Sequence, residues 1–173
     1  MSPRGRTRPA SMPYRFERDV VLAAEPAAVF DHLDDHRRLA AHMEQRSWRL
    51  GFGRLALNTS ADATGRQVLV WRGRVLGLPI DVTEVVIERS PPHRKRWQTI
   101  GTPRLWVVGG YTMGFDVAVH VGGSQVRIDI EYTLPERGAL HVVGRLIGHH
   151  YARWCVTRMI EDISGQFGAN IRS

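Results

Sequence analysis

The sequence predicts a single α+β domain in which a curved, antiparallel, seven-stranded sheet wraps around a long C-terminal helix, with two short helices after the first strand. Three observations carry this. Near the C-terminal end of the strand region Val126, Ile128, Ile130 and Tyr132 alternate with Arg127, Asp129, Glu131 and Thr133, the period-two pattern of a strand with one dry and one wet face. Upstream, β-branched and aromatic runs are separated by turn chemistry at Ala63-Thr64-Gly65, Gly77-Leu78-Pro79, Pro91-Pro92, Gly101-Thr102-Pro103 and Gly122-Gly123. After Pro135 no further proline appears, and residues 139–168 can form one helix of roughly 45 Å.

The elements follow in order. Residues 1–13, rich in Pro, Arg and Ser, have no apolar period and are expected to be a disordered leader, with the domain over 14–170. A first strand is expected over 14–23. Glu25-Pro26 then opens a helix with proline in its first turn, and Val29, Phe30 and Leu33 recur at helical spacing. A second short helix is expected over 36–43, capped by Asp34 or Asp35. Six strands are expected over 47–58, 67–76, 80–88, 94–100, 105–119 and 125–134, all antiparallel. Gly73, Gly109, Gly110 and Gly114 are read as bulges or bends that let the sheet curl. In the C-terminal helix Leu140, Val143, Ile147, Tyr151 and Trp154 share one side, while Val156, Met159, Ile160, Ile163 and Phe167 lie almost opposite. Gly144 and Gly148 then imply a kink or a close crossing in its first half.

Composition narrows the classes of function. The chain has 173 residues and 43% hydrophobic content, enough for a core without staples. No run approaches the eighteen or so apolar residues of a membrane span, and no secretory signal is seen, so a cytoplasmic location is expected. The single cysteine, Cys155, reads as a small core residue. The net charge is +7, but Arg4, Arg6 and Arg8 lie in the leader, and the remaining arginines alternate with Asp and Glu instead of forming a stripe. A nucleic-acid partner is therefore not expected. His93-Arg94-Lys95-Arg96, which holds the only lysine, reads as a solvated run beside a turn.

The order of elements resembles the helix-grip fold of the START-like (SRPBCC) superfamily over residues 14–168. The residues that carry the resemblance are Glu25-Pro26-Ala27-Ala28-Val29-Phe30, Pro91-Pro92, Tyr111-Thr112-Met113-Gly114-Phe115, Glu131-Tyr132-Thr133-Leu134-Pro135 and Tyr151-Ala152-Arg153-Trp154-Cys155. Together they are similar to the polyketide cyclase/dehydrase and lipid transport branch. The resemblance implies an internal cavity of several hundred Å³. Candidate lining residues are Trp71, Trp97, Tyr111, Met113, Phe115, Ile128, Ile130, Tyr132, Trp154 and Met159. Aromatase-like members place an arginine on the third strand, which makes Arg72 the candidate catalytic residue. Strand alternation sends either Trp71 or Arg72 inward and leaves the choice open.

Other chemistry is weakly signalled. Cys155 with His149 or His150 is a poor nucleophile and base pair, because the side chains diverge around the helix. The eight histidines show no convergent metal-ligand spacing, so neither a metal nor another cofactor is expected. The leading expectation is a non-catalytic binder or carrier of a hydrophobic small molecule such as a lipid, polyketide or isoprenoid. The alternatives are an aromatase, cyclase or dehydratase using the same cavity, and a membrane-associated accessory protein touching lipid through residues 140–154. The sequence leaves a homodimer open.

Overall fold

The computed structural model describes residues 13–38, 55–75, 78–135 and 139–169. The expected leader, most of the second short helix, and the first two thirds of the strand expected over 47–58 lie outside them. Strand β1 (Tyr14–Leu22) is followed by helix α1 (Pro26–Asp34), then β2 (Leu55–Ala61), β3 (Gln67–Val75), β4 (Leu78–Ser90), β5 (Arg94–Arg104), β6 (Tyr111–His120), β7 (Gly123–Tyr132) and the 29-residue helix α2 (Ala139–Phe167). The seven strands form one antiparallel sheet in the order β1-β7-β6-β5-β4-β3-β2, a meander from β2 to β7 with β1 added beside β7.

The alternation in β7 sets the inner face. Val126, Ile128, Ile130 and Tyr132 are buried there, with Met113, Phe115 and Val117 of β6 and Trp97 of β5. Across this face α2 lays Ala152, Val156, Met159, Ile160 and Ile163, and α1 adds Val29, Phe30 and Leu33. Burying a side chain such as Ile163 or Phe30 contributes about 1.5–3 kcal/mol, so this seam dominates the stability of the fold. His32 Nε2 meets Asp162 Oδ2 at 2.7 Å, tying α1 to the end of α2.

The two glycines in α2 serve a close crossing. A Cβ on Gly144 would stand 2.8 Å from Pro135 Cδ and 3.1 Å from the Val107 carbonyl oxygen, and one on Gly148 would stand 3.2 Å from that same oxygen. Helix and chain can touch here only because both positions lack side chains.

Several expectations need correction. The strand expected over 105–119 starts only at Tyr111, because residues 105–110 leave the β5 ladder and pass beneath α2. There Gly109 N donates to Thr133 O at 2.8 Å and Thr133 N to Gly110 O at 2.9 Å. The break expected at Gly101-Thr102-Pro103 is absent, since β5 runs on to Arg104 paired with β4 alone after its pairing with β6 ends at Gln98. Gly101 absorbs the irregularity with φ 70°. Nor do Gly73 and Gly114 mark bulges: their registers are regular, and the irregular steps fall between Asp81 and Thr83 and between Val86 and Glu88 of β4.

The wet face of β7 is also only partly wet. Arg127 is exposed, but Asp129 is 1% exposed. Arg96, Gly114 and Asp129 occupy one row across β5, β6 and β7. With no side chain on Gly114 in the way, the Arg96 guanidinium reaches over β6 and donates to both Asp129 oxygens at 2.8 and 2.9 Å, while its other arm meets Asp116 at 2.9 Å.

Candidate functional site

The inner face of the sheet is apolar except where three strands place polar groups on it. In β4, Val82, Glu84 and Val86 point inward, so a carboxylate stands within an otherwise aliphatic set. Glu84 is 3% exposed. Trp71 Nε1 donates to its Oε2 at 2.8 Å, and the Tyr111 hydroxyl donates to its Oε1. Burial pushes the Glu84 carboxyl up from its ordinary range, against the lowering effect of Tyr111, Trp71 and Trp97. Burial, and then the Glu84 charge, hold Tyr111 well above the usual phenol range. Across from them on α2, burial pushes the Cys155 thiol up to about 12 beside Tyr151. Such a thiol is inert as a nucleophile at neutral pH.

A second polar cluster lies at the end of α1. Lys95 faces inward from β5, fully buried, against Asp34 and His36. Arg89 donates to the same Asp34 carboxylate at 2.8 Å. His36 packs edge-on to Trp97 with ring centroids 5.1 Å apart, so Trp97 lies between the two clusters.

The structure resolves the open choice on β3. Trp71 turns inward to Glu84, and Arg72 turns out, 68% exposed, with Nε 3.6 Å from Asp81 Oδ1. Arg72 therefore has no access to the interior. Arg72→Met is expected to leave both stability, within about 0.5 kcal/mol, and small-molecule binding unchanged. Urea denaturation and calorimetric titration check this, and a loss of binding would restore Arg72 to the site.

Of the expected lining residues, Trp97, Met113, Phe115, Ile128, Ile130, Tyr132 and Met159 come together in the buried cluster, with Tyr111 packed against it. Trp154 does not join them. It is 40% exposed and stacks on Tyr151 at 6.3 Å, beside a shallow depression of about 230 Å³ on the outer side of α2 lined by His150, Arg153, Thr157, Arg158 and Glu161. Val142, Leu146 and Ile147 are exposed on the same helix.

Glu84, Lys95 and His36 were not among the sequence candidates. Glu84 was legible as the one charge in the series Ile80, Val82, Glu84, Val86, and Lys95 as the partner of Trp97 in the alternation of β5. The reading of Lys95 as part of a solvated run is corrected by its complete burial. His36 could not be found, because its burial depends on where α1 ends against β5.

A family model described as polyketide cyclase / dehydrase and lipid transport matches residues 13–166. The chain belongs to this family. Solved structures agree on the fold of this family member. A Thermus thermophilus protein superposes with TM-score 0.63 at 16% identity, covering 87% of this chain and 93% of its own. The Zhui aromatase/cyclase from a Streptomyces species gives 0.52 at 16% identity, covering 87% and 86%. The di-domain ARO/CYC protein BexL gives 0.58 at 17% identity and covers 92% of this chain, which spans 51% of that longer one. A search of curated proteins finds no significant match. Among the described residues, no helix is long and apolar enough to cross a membrane.

Proposed function

We propose that the chain binds a hydrophobic small molecule between the inner face of the sheet and α2, with Glu84, Tyr111 and Trp71 reading a polar group on it. The observation that carries this is Glu84 itself. A carboxyl buried in an apolar interior costs stability unless it is compensated. Among the described residues no arginine or lysine lies within ion-pairing distance of Glu84, whose hydrogen-bond partners Tyr111, Trp71 and Trp97 are all neutral, with the Lys95 charge acting only from farther off. A core built for stability alone would place an aliphatic residue there. The family supports the same reading, since its description joins cyclase chemistry to lipid transport.

Isothermal titration calorimetry with 2-naphthol, an apolar bicycle carrying one hydroxyl, tests it. Saturable one-to-one binding is expected, and Tyr111→Phe should weaken it roughly five- to tenfold by removing one hydrogen bond. No binding to the folded protein would overturn the proposal.

A second reading, a cyclase or dehydratase, is favoured by the same carboxyl. A raised carboxyl can take a proton from a carbon beside a carbonyl and return it to another atom of the substrate, with the Tyr111 hydroxyl placed to bond the enolate oxygen that forms. Binding without turnover of a poly-β-keto thioester would leave the carrier reading alone.

A further inference from the structure

Lys95 is the single lysine of the chain, and its ammonium is buried among three acceptors. It donates to Asp34 Oδ1 at 2.5 Å, to the Asp34 carbonyl oxygen at 3.0 Å, and contacts Nδ1 of His36 at 3.0 Å. An ammonium has three N–H donors and no lone pair, so Nδ1 of His36 must be the acceptor. The Asp34 carbonyl oxygen, 3.3 Å from Nδ1, could accept from a protonated Nδ1, but it already accepts from Lys95 at the shorter distance of 3.0 Å, and a proton on Nδ1 would point at the ammonium. Nδ1 therefore carries no proton. A neutral imidazole must then hold its one proton on Nε2. Burial, and then the Lys95 charge, keep this ring neutral, lowering it to about 4.

Nε2 lies on the opposite edge of the ring, and it is buried. His36 is 3% exposed, and Nε2 has no hydrogen-bond partner among the described residues. Among the described residues no other buried side-chain nitrogen or oxygen lacks a partner, so the lysine fixes the tautomer and leaves one buried N–H on the ring that packs against Trp97. An unpaired buried donor costs the free protein stability that a ligand acceptor would restore. We infer that His36 Nε2–H is a second ligand anchor, which donates to a carbonyl or ether oxygen of the hydrophobic molecule held in the interior. Lys95 and Asp34 are positioning residues that hold the ring in this tautomer. The inference rests on the binding reading above, and adds that the bound molecule carries an acceptor oxygen remote from the group read by Glu84.

The test uses the full chain and two near-isosteric probes, 2-acetylnaphthalene and 2-ethylnaphthalene, titrated by calorimetry. The ketone is expected to bind roughly tenfold more tightly than the hydrocarbon. In His36→Asn the amide oxygen still accepts from Lys95 but no donor stands at the Nε2 position. The preference should fall to about one, with the hydrocarbon's affinity within about twofold of its original value. His36→Gln, which returns a donor near Nε2, should recover part of the preference. Independently, nitrogen-15 NMR of the unaltered protein should show His36 as the Nε2–H tautomer, with the Nε2 resonance moved by the ketone and not by the hydrocarbon. This second measurement stands even where a variant fails to fold. An Nδ1–H tautomer, or a ketone preference unchanged in His36→Asn, overturns the anchor and leaves the binding reading intact. Binding of neither probe overturns both.

Discussion

Ile130→Ala is expected to destabilise the fold by about 2–5 kcal/mol, and Asp129→Ala, one residue away on the other face, by about 2–3 kcal/mol. The first loss is a cavity: Ile130 is 1% exposed, opposite Met113 and Phe16 on the flanking strands. The second has a different cause. Removing the Asp129 carboxylate leaves the Arg96 guanidinium, 21% exposed, without two of its three short hydrogen bonds, and only Asp116 remains to it. Arg15 Nη2, 3.9 Å away, loses its more distant contact as well. The retained Asp116 pair and the partial exposure of Arg96 keep the cost below that of a fully buried broken pair. Urea denaturation of both variants measures the two values. Gly114→Ala should share the Asp129 loss and add a backbone clash of its own, because its Cβ would stand 2.7 Å from the Lys95 carbonyl oxygen and 2.8 Å from Arg96 Cγ, forcing the strands apart and lifting the arginine off its track. The double variant Gly114→Ala with Asp129→Ala should then cost less than the sum of the two single changes. An Asp129→Ala loss under about 0.5 kcal/mol would show that the row does not hold the sheet.

This row shows where reading the sequence stops short. Alternation in β7 assigned Ile128, Ile130 and Tyr132 to the dry face, because a period of two is a local property that any half-buried strand must display. It also placed Asp129 on the opposite face, but burial on that face depends on which residues of β5 and β6 lie alongside. Such lateral neighbours are set by turn lengths and by the two irregular steps in β4, and neither shows in a single strand's pattern. Gly114 illustrates this: its absent side chain suggested a bulge, whereas it makes room for an arginine from the next strand. The helix glycines were easier, since two glycines four apart on one side of a long helix point to a kink or a close approach, and the approach is what forms. The candidate site divides the same way. Most of its apolar wall was legible, because it is the dry face of the strands. Its chemistry was not, since Glu84, Lys95 and His36 come from three separate elements and acquire meaning only through Tyr111, Asp34 and Trp97.

The two clusters should give stability opposite dependences on pH, and Glu84→Gln separates them. In the unfolded chain the Glu84 carboxyl ionises near 4.5, whereas burial in the native state raises its pKa. Above pH 4.5 the native state thus binds more protons than the unfolded state, and stability falls as pH rises until the native carboxyl also ionises. His36 works from the other side. Its unfolded imidazole takes a proton near pH 6.5, but burial and Lys95 hold the native ring at about 4, with Asp34 and Asp35 opposing them. Between those values the unfolded state binds the extra proton, so stability falls as pH drops from 6.5 toward 4, by up to about 3 kcal/mol. Glu84→Gln keeps an oxygen that can accept from Trp71 or Tyr111 but cannot ionise. Its stability relative to the unaltered protein should rise steadily between pH 5 and pH 8, while the acid-side decline from His36 remains. Urea midpoints at pH 4, 5, 6.5 and 8 measure both limbs. If the protein is an enzyme of the cyclase or dehydratase class, the same variant should retain 2-naphthol binding within a fewfold and lose turnover by about 100-fold or more, the scale of a missing general acid or base. A Glu84→Gln variant that is less stable than the unaltered protein by the same amount at pH 5 and pH 8 would show that Glu84 is an ordinary ionised carboxylate in the native state, and would remove both the pH argument and the acid–base reading.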